Sequence, residues 1–257
     1  MRITVLGCWA PFPRTGGNCS GYLLQDGGAY ILLDAGNGTF SHLGQFASHE
    51  DIRAAAITHL HPDHYADLYC LRHAVEISRR EGRRYRPVKL FLPAQPAAIF
   101  EEFASYREAF EVTAIESLPE EKVPPGVLAR RAEVGQIYLY FLPVPHLIPA
   151  YAIGVDGSGY FVYSGDMAPT EEMAAFAEKA SIFFCEASGL DKDEEVFRNI
   201  HMTARQAGEM AKKARVKQLI LTHFYPEYDL ELLRAQAEES FGKKVELVLE
   251  GHTYFVY

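Results

Sequence analysis

The sequence predicts a mixed α/β or α+β fold in which internal sheets are covered by helices. Two observations carry this expectation: the first half of the chain is rich in hairpin signals, and the second half alternates helical and strand patterns. At 257 residues, 48% hydrophobic and 23% charged, the chain can bury a substantial core. It shows no dividing linker and no short-period repeat, so residues 1–257 are expected to form one domain.

Ile3–Leu6 reads as the first strand. Tyr22–Gln25 and Tyr30–Leu33 flank Asp26-Gly27-Gly28, a hairpin with glycine where positive φ is needed. Ala54–Thr58 is a short apolar run that ends at His59. A helix follows, with Leu68, Leu71 and Val75 on one face and Gly82 as its stop. Lys89–Leu92 is a strand, Pro96–Tyr106 a helix, and the Pro- and charge-rich stretch Pro119–Gly126 a loop. Tyr138–Val144, Tyr151–Val155 and Tyr160–Tyr163 read as strands, the last two joined by an Asp156-Gly157-Ser158-Gly159 turn. Thr170 opens a helix with Glu171 and Glu172 in its first turn. After strand Ser181–Cys185, Thr203-Ala204-Arg205-Gln206 forms a capping box for a helix to about Arg215. Strand Val216–Leu221, helix Asp229–Phe241 and strand Val245–Leu249 complete the reading.

Charge and cysteine content narrow the function. A net charge of −9 opposes nucleic acid and anionic membranes in the mean field. No run of 18 apolar residues suggests a membrane span. Only seven residues precede Cys8, too few for a lipoprotein signal, so a cytoplasmic location is expected. Cys8, Cys19, Cys70 and Cys185 form no C-x-x-C pair and are expected to be buried thiols.

The chemistry concentrates in Thr58-His59-Leu60-His61-Pro62-Asp63-His64, directly after a strand. In an extended segment His59 and His61 point to the same side, and Pro62 holds His61 extended. Asp63 and His64 then enter a turn and face a different point. One segment thus offers two imidazoles to one metal, and a carboxylate and an imidazole to a second. Such ligands suit zinc, and also manganese or iron.

This segment resembles the H-x-H-x-D-H signature of the metallo-β-lactamase superfamily, and four further features recur in order. Val144-Pro145-His146, Ser164-Gly165-Asp166 and Leu221-Thr222-His223 each follow or end a strand, and Leu33-Asp34-Ala35-Gly36 matches an early strand-end Asp-x-Gly. The resemblance implies a four-layer αββα sandwich with two divalent ions at one edge. His59, His61 and His146 would hold one ion, Asp63, His64 and His223 the other, and Asp166 would bridge both. Asp34 is either a support for the metal loop or a turn-forming residue.

Phe184-Cys185-Glu186-Ala187-Ser188 and His201-Met202-Thr203-Ala204-Arg205-Gln206-Ala207 look like ribonuclease Z and related phosphodiesterases, as do Gly7-Cys8-Trp9-Ala10-Pro11 and Gly16-Gly17-Asn18. In that group the Glu and His act together, so Glu186 is expected to orient His201, which protonates the leaving oxygen. Asp63 would accept or steer a proton. The long transfer-RNA arm of ribonuclease Z is missing, because His146 and Asp166 stand only 20 positions apart. The expected activity is therefore hydrolysis of a small phosphodiester, a cyclic nucleotide or RNA end, by water activated between two ions. The alternatives are a lactone or thioester hydrolase in which Tyr65 or another tyrosine polarises a carbonyl, and a non-catalytic metal- or nucleic-acid-binding module. Arg79, Arg80, Arg83, Arg84, Arg86 and Lys89 form a basic cluster, read as a solvated helix end in preference to an RNA clamp. A homodimer is expected by family analogy.

Overall fold

The structure is a computed structural model that describes residues 1–123 and 126–257. In chain order its elements are β1 (Arg2–Gly7), β2 (Gly21–Asp26), β3 (Ala29–Ala35), α1 (Thr39–Leu43), β4 (Ile52–Ala56), α2 (Pro62–Tyr65), α3 (Leu68–Arg80), β5 (Val88–Leu92), α4 (Ala97–Ser105) and β6 (Phe110–Ala114). The second half continues with β7 (Glu120–Lys122), β8 (Leu128–Val134), β9 (Ile137–Val144), β10 (Ala150–Asp156), β11 (Tyr160–Tyr163), α5 (Glu171–Phe176), β12 (Ile182–Glu186), α6 (Glu194–Phe197) and α7 (Ala204–Lys213). It ends with β13 (Gln218–Thr222), α8 (Leu230–Phe241), β14 (Glu246–Leu247) and β15 (Thr253–Phe255).

Two sheets result. One runs β15-β1-β2-β3-β4-β5-β6 and the other β14-β13-β12-β11-β10-β9-β8-β7. Hairpin strands pair antiparallel, while β3-β4-β5-β6 and β11-β12-β13-β14 are parallel and joined through helices. Helical crossovers place helices on the outer faces, giving the expected four-layer sandwich. The inner faces meet through aromatic side chains: Tyr22 packs edge-on against Tyr163 and Phe184, and Phe91 reaches Phe141. Outside the first sheet, Leu68, Leu71 and Val75 of α3 bury the predicted face over Val88, Leu90 and Leu92.

The predicted caps form. Thr203 accepts from the Gln206 N–H while the Gln206 side chain accepts from the Thr203 N–H, closing the box that opens α7. Thr170 caps α5 through the Met173 N–H. Such caps satisfy backbone donors that a helix start otherwise leaves unpaired. Helix α7 lies close on α8 because position 208 is glycine: a β-carbon there would sit 2.1 Å from Ser240 Oγ and 2.4 Å from the Ala237 carbonyl.

Several expectations need correction. Strands β6, β8 and β15 were not predicted, and β7 occupies residues 120–122 of the expected Pro119–Gly126 loop, whose Pro124 and Pro125 lie outside the described residues. Strand β8, Leu-Ala-Arg-Arg-Ala-Glu-Val, lacks clean alternation because its arginines are satisfied across strands. Arg131 donates to Glu121 of β7 at 2.7 Å and lies over the Tyr138 ring of β9, while Arg130 pairs with Glu120. The strand expected over Val245–Leu249 shrinks to Glu246–Leu247. Cys8, Cys19 and Cys185 are buried as expected, but Cys70 is exposed. Among the described residues, no helix is long and apolar enough to cross a membrane.

Half of the basic cluster is spent on structure, while Arg80, Arg86 and Lys89 are exposed to solvent. Arg84 donates to the carbonyls of Glu50, Ile52 and Arg86, Arg83 pairs with Glu81 and Glu50, and Arg79 pairs with Glu108. These residues close the N-terminal ends of β4 and β5. The His-rich segment follows the C-terminal end of β4, roughly 20 Å away at strand rise.

Candidate metal centre

The residues of the predicted constellation gather at one edge of the sandwich, most of them at or just beyond a strand end. Asp34 ends β3, His59 and His61 follow β4, and Asp63 and His64 open α2. From the second sheet His146 follows β9, Asp166 follows β11, Glu186 ends β12 and His223 follows β13. His201 precedes the capped start of α7. Parallel strands carry their side-chain-bearing loops to a common carboxyl edge, the usual place for a site in such sheets.

The side chains form three overlapping groups of possible metal ligands. His59, His61, His146 and Asp166 make the first, Asp63, His64 and His223 the second, and Asp166, His201 and His223 a third. In the first, His59 Nε2 lies 3.0 Å and His146 Nε2 3.2 Å from His61 Nδ1, with Asp166 Oδ2 3.6 Å from His59 Nε2. In the second, His64 Nε2 and His223 Nε2 are 3.3 Å apart. Asp63 Oδ2 is 3.6 Å from His64 Nε2 and 3.8 Å from His223 Nε2. Asp166 Oδ1 stands 3.4 Å and 2.9 Å from the same two nitrogens. One oxygen of Asp166 therefore faces each of the first two groups.

In four of the five rings the outer nitrogen has a partner that turns the other nitrogen inward. His64 Nδ1 donates to Asp34 Oδ2 at 2.7 Å and His146 Nδ1 to the Ile200 carbonyl at 2.9 Å. His223 Nδ1 is 2.8 Å from Ser188 Oγ, and His59 Nδ1 is 3.1 Å from Thr58 Oγ1. Fixing the outer nitrogen sets the tautomer and aims the ring.

These residues fit two cations by three tests. Imidazole nitrogens of neighbouring rings stand 3.0–3.3 Å apart, and tetrahedral Zn–N bonds place ligand atoms about 3.3 Å apart. Asp166 Oδ1 is buried and accepts no hydrogen bond despite its 2.9 Å approach to His223 Nε2, so the two atoms converge on a point instead of bonding each other. Four carboxylates, Asp34, Asp63, Asp166 and Glu186, meet only histidines as ion-pair partners among the described residues. The excess is felt at His64: burial opposes its charged form, yet Asp166, Asp34 and Asp63 hold its pKa well above the ordinary value. Burial keeps His59, His61 and His146 below theirs, as neutral ligands must be.

Asp34 acts as a support. Its buried carboxylate takes the Thr58 N–H at 2.7 Å, the Thr58 hydroxyl at 2.9 Å, the Tyr163 hydroxyl at 2.9 Å and His64 Nδ1 at 2.7 Å. Position 36 must be glycine for the loop to close, since a β-carbon there would lie 2.0 Å from the Asp63 carbonyl.

Glu186 and His201 meet as predicted. Glu186 Oε1 takes the Met167 N–H at 2.6 Å and lies 3.1 Å from His201 Nδ1, while Oε2 accepts from Ser188 Oγ. Burial disfavours the His201 imidazolium, but Glu186 outweighs it and lifts the pKa to about 9. His201 Nδ1 also lies 3.9 Å from Asp166 Oδ2. A cleft of about 580 Å³ opens over His61, Asp63, Asp166, Ser188, His201 and His223. Tyr65 is not in it: its ring packs 5.8 Å from Phe103 in the core, so it cannot polarise a substrate carbonyl. Sequence reasoning missed Tyr163, which read as one more strand aromatic, and Tyr225, which fell in the connection after strand Val216–Leu221, and gave Ser188 no role although it stands within the Glu186 segment.

With the site in view, the comparisons agree. The Beta-lactamase superfamily domain matches residues 29–224, and the chain belongs to that superfamily, among its hydrolytic enzymes. The probable metallo-hydrolase YhfI of Bacillus subtilis is 27% identical over 256 residues, covering 99% of each chain. The crystal structure of that metallo-beta-lactamase fold protein matches with a TM-score of 0.86 at 25% identity, over 98% of each chain. Ribonuclease Z of Haloarcula marismortui is 27% identical over 302 positions, covering 98% of this chain and 95% of the relative. Those 302 positions exceed the 257 residues here, so the ribonuclease carries insertions this chain lacks. Human tRNase Z, short form, shares the fold with a TM-score of 0.74 at 19% identity, over 100% of each chain.

Asp34 gives a test of the support. Asp34→Ala leaves four buried donors without an acceptor and should destabilise the protein by roughly 3–5 kcal/mol in urea denaturation. Tyr163→Phe, which removes one donor, should cost about 1–2 kcal/mol. A loss under about 1 kcal/mol for Asp34→Ala would contradict the assigned role.

Proposed function

We propose that residues 1–257 act as one domain, a binuclear metal-dependent phosphodiesterase that cleaves a small phosphodiester, a cyclic nucleotide or a short RNA end. The observation that carries this reading is the His201 ring, held by Glu186 at 3.1 Å and bordering the same cleft as both ligand groups. A diester needs its leaving oxygen protonated, and this pair supplies a poised acid.

In this reading His59, His61 and His146 hold one ion, Asp63, His64 and His223 the other, and Asp166 both. Zinc suits the nitrogen-rich set, with manganese or iron compatible. When bound, two such ions supply positive charge to the phosphoryl oxygens and lower the pKa of an attacking water. Asp63 keeps one oxygen in the second group and steers the water's proton with the other. His201 has Nδ1 engaged with Glu186, so it protonates the leaving oxygen from Nε2. Asp34 keeps His64 aimed while the charge on phosphorus changes.

Small substrates are favoured because the chain from His146 to Asp166 is the β10–β11 hairpin, with no arm on which a transfer RNA can rest. Remote binding energy is then unavailable for positioning the scissile bond. The basic cluster offers no substitute, because it lies at the opposite edge, with Arg79, Arg83 and Arg84 tied to carbonyls and carboxylates there. On metal-loaded protein, kcat/KM for a cyclic nucleotide or chromogenic diester should exceed that for precursor transfer RNA by at least roughly tenfold at matched salt. Arg83→Ala with Arg86→Ala should leave diester turnover unchanged. Efficient RNA cleavage that collapses in that double variant would sink the small-substrate reading.

The acid has a pH signature. Its charged form is present below its pKa, so activity should fall as pH rises through the His201 value, which bound cations lower from about 9. Glu186→Gln removes the largest cause that raises it, and the alkaline limb of kcat/KM should move down toward the ordinary histidine value of about 6.5. His201→Ala should keep its metals and lose roughly 10²–10⁴-fold in kcat. An unmoved alkaline limb in Glu186→Gln, or metal loss in His201→Ala, would refute the assigned role.

A further inference from the structure

The cleft is lined by two chemically different sets of residues. One is the imidazoles, carboxylates and Ser188 described above. The other is Ala10, Pro11, Pro62, Phe197 and Tyr225. Among the described residues no Lys or Arg lines it, so selection beyond the ligand groups does not rest on a side-chain cation. The apolar wall also contains no Leu, Ile, Val or Met: apart from one alanine, it is built from rings. Of these, Phe197 and Tyr225 offer the flat aromatic faces that suit a planar ring.

Resting on the phosphodiesterase reading, we propose that Phe197 and Tyr225 form a stacking wall for a nucleobase, so that the substrate is a nucleotide and not an alkyl or sugar phosphodiester. Both rings are seated in advance. The Phe197 ring lies against the backbone at Gly189, where a β-carbon would come within 2.5 Å of it, and meets His201 edge-on at 5.4 Å. It therefore stands beside the proton donor. Tyr225 follows His223 by two positions, and its ring is buttressed edge-on by Phe12 at 5.9 Å and Tyr228 at 5.0 Å. Tyr228 is in turn tied to Asp193 by a 2.8 Å hydrogen bond. Pre-positioned rings lose little freedom on binding. A volume of about 580 Å³ is in the range of a small-ligand site and accommodates a mononucleotide.

The test is direct binding to zinc-loaded protein by calorimetry, comparing adenosine 5′-monophosphate with ribose 5-phosphate, which presents the same phosphate without a base. The nucleotide should bind roughly 5- to 150-fold more tightly, the range for base–aromatic stacking. Tyr225→Ala and Phe197→Ala should each shrink that ratio, with zinc content and melting temperature retained, and Tyr225→Phe should restore it because the ring does the stacking. Equal affinities in the unmodified protein, or a ratio that survives both alanine variants, would overturn the wall. Turnover is scored separately. A base preference without diester hydrolysis leaves the wall standing and removes the phosphodiesterase reading, while hydrolysis without a base preference does the reverse.

Discussion

Asp166 sits where the two sheets, the two ligand groups and the cleft meet. Its carboxylate is buried, yet each oxygen points toward a different cluster of imidazoles, and Oδ1 accepts no hydrogen bond from any of them. A buried carboxylate in that state is costly unless positive charge lies beside it. Burial alone would raise its pKa, and His223, His64 and His59 override this and hold it well below the ordinary value. The backbone that delivers it is equally constrained. Gly165 adopts φ of +58°, and a β-carbon there would stand 3.0 Å from both Thr58 and the Tyr151 carbonyl. Glycine thus lets the β11 loop approach the loop after β4 closely enough for one carboxylate to serve both groups.

Behind this carboxylate a second buried acid keeps the two sheets in register. Asp34 comes from β3 of the first sheet, and the Tyr163 hydroxyl that donates to it comes from β11 of the second. The same carboxylate holds Thr58 and His64, so the loop that carries four of the candidate ligands hangs from a bond between sheets. Tyr22 extends the contact, packing on Tyr163 and reaching the Thr222 hydroxyl one residue before His223. Misalignment of the sheets would therefore separate His59, His61 and His64 from His146 and His223. The core aromatics are part of how the centre is preorganised.

The sequence made the local part of the centre legible. Three histidines and an aspartate in six residues after an apolar run announce a ligand-rich strand end, and the capping box at Thr203 places His201 at a helix start. His146, Asp166 and His223 are isolated in the chain, and only their order and their strand-end positions point to them. What stayed hidden depends on contacts between distant segments. Tyr163 reads as one more strand aromatic, and its bond to Asp34 spans 129 positions. Strand β8 was obscured by Arg130 and Arg131, whose charges are met by partners on β7 that the sequence pattern cannot display. Tyr65 adjoins His64 in sequence, but one further residue of helix, about 100° of rotation, directs it into the core. Tyr225 and Phe197 come together at the cleft only because the loop after β13 and the end of α6 converge there.

The sharing of Asp166 between two ions is the claim on which the functional reading rests. A crystal of zinc-loaded protein, measured on both sides of the zinc absorption edge, tests it without recourse to turnover. The expected result is two anomalous peaks about 3.5–4 Å apart, each within bonding distance of a different Asp166 oxygen. A single peak, or two peaks of which only one touches Asp166, would contradict the account.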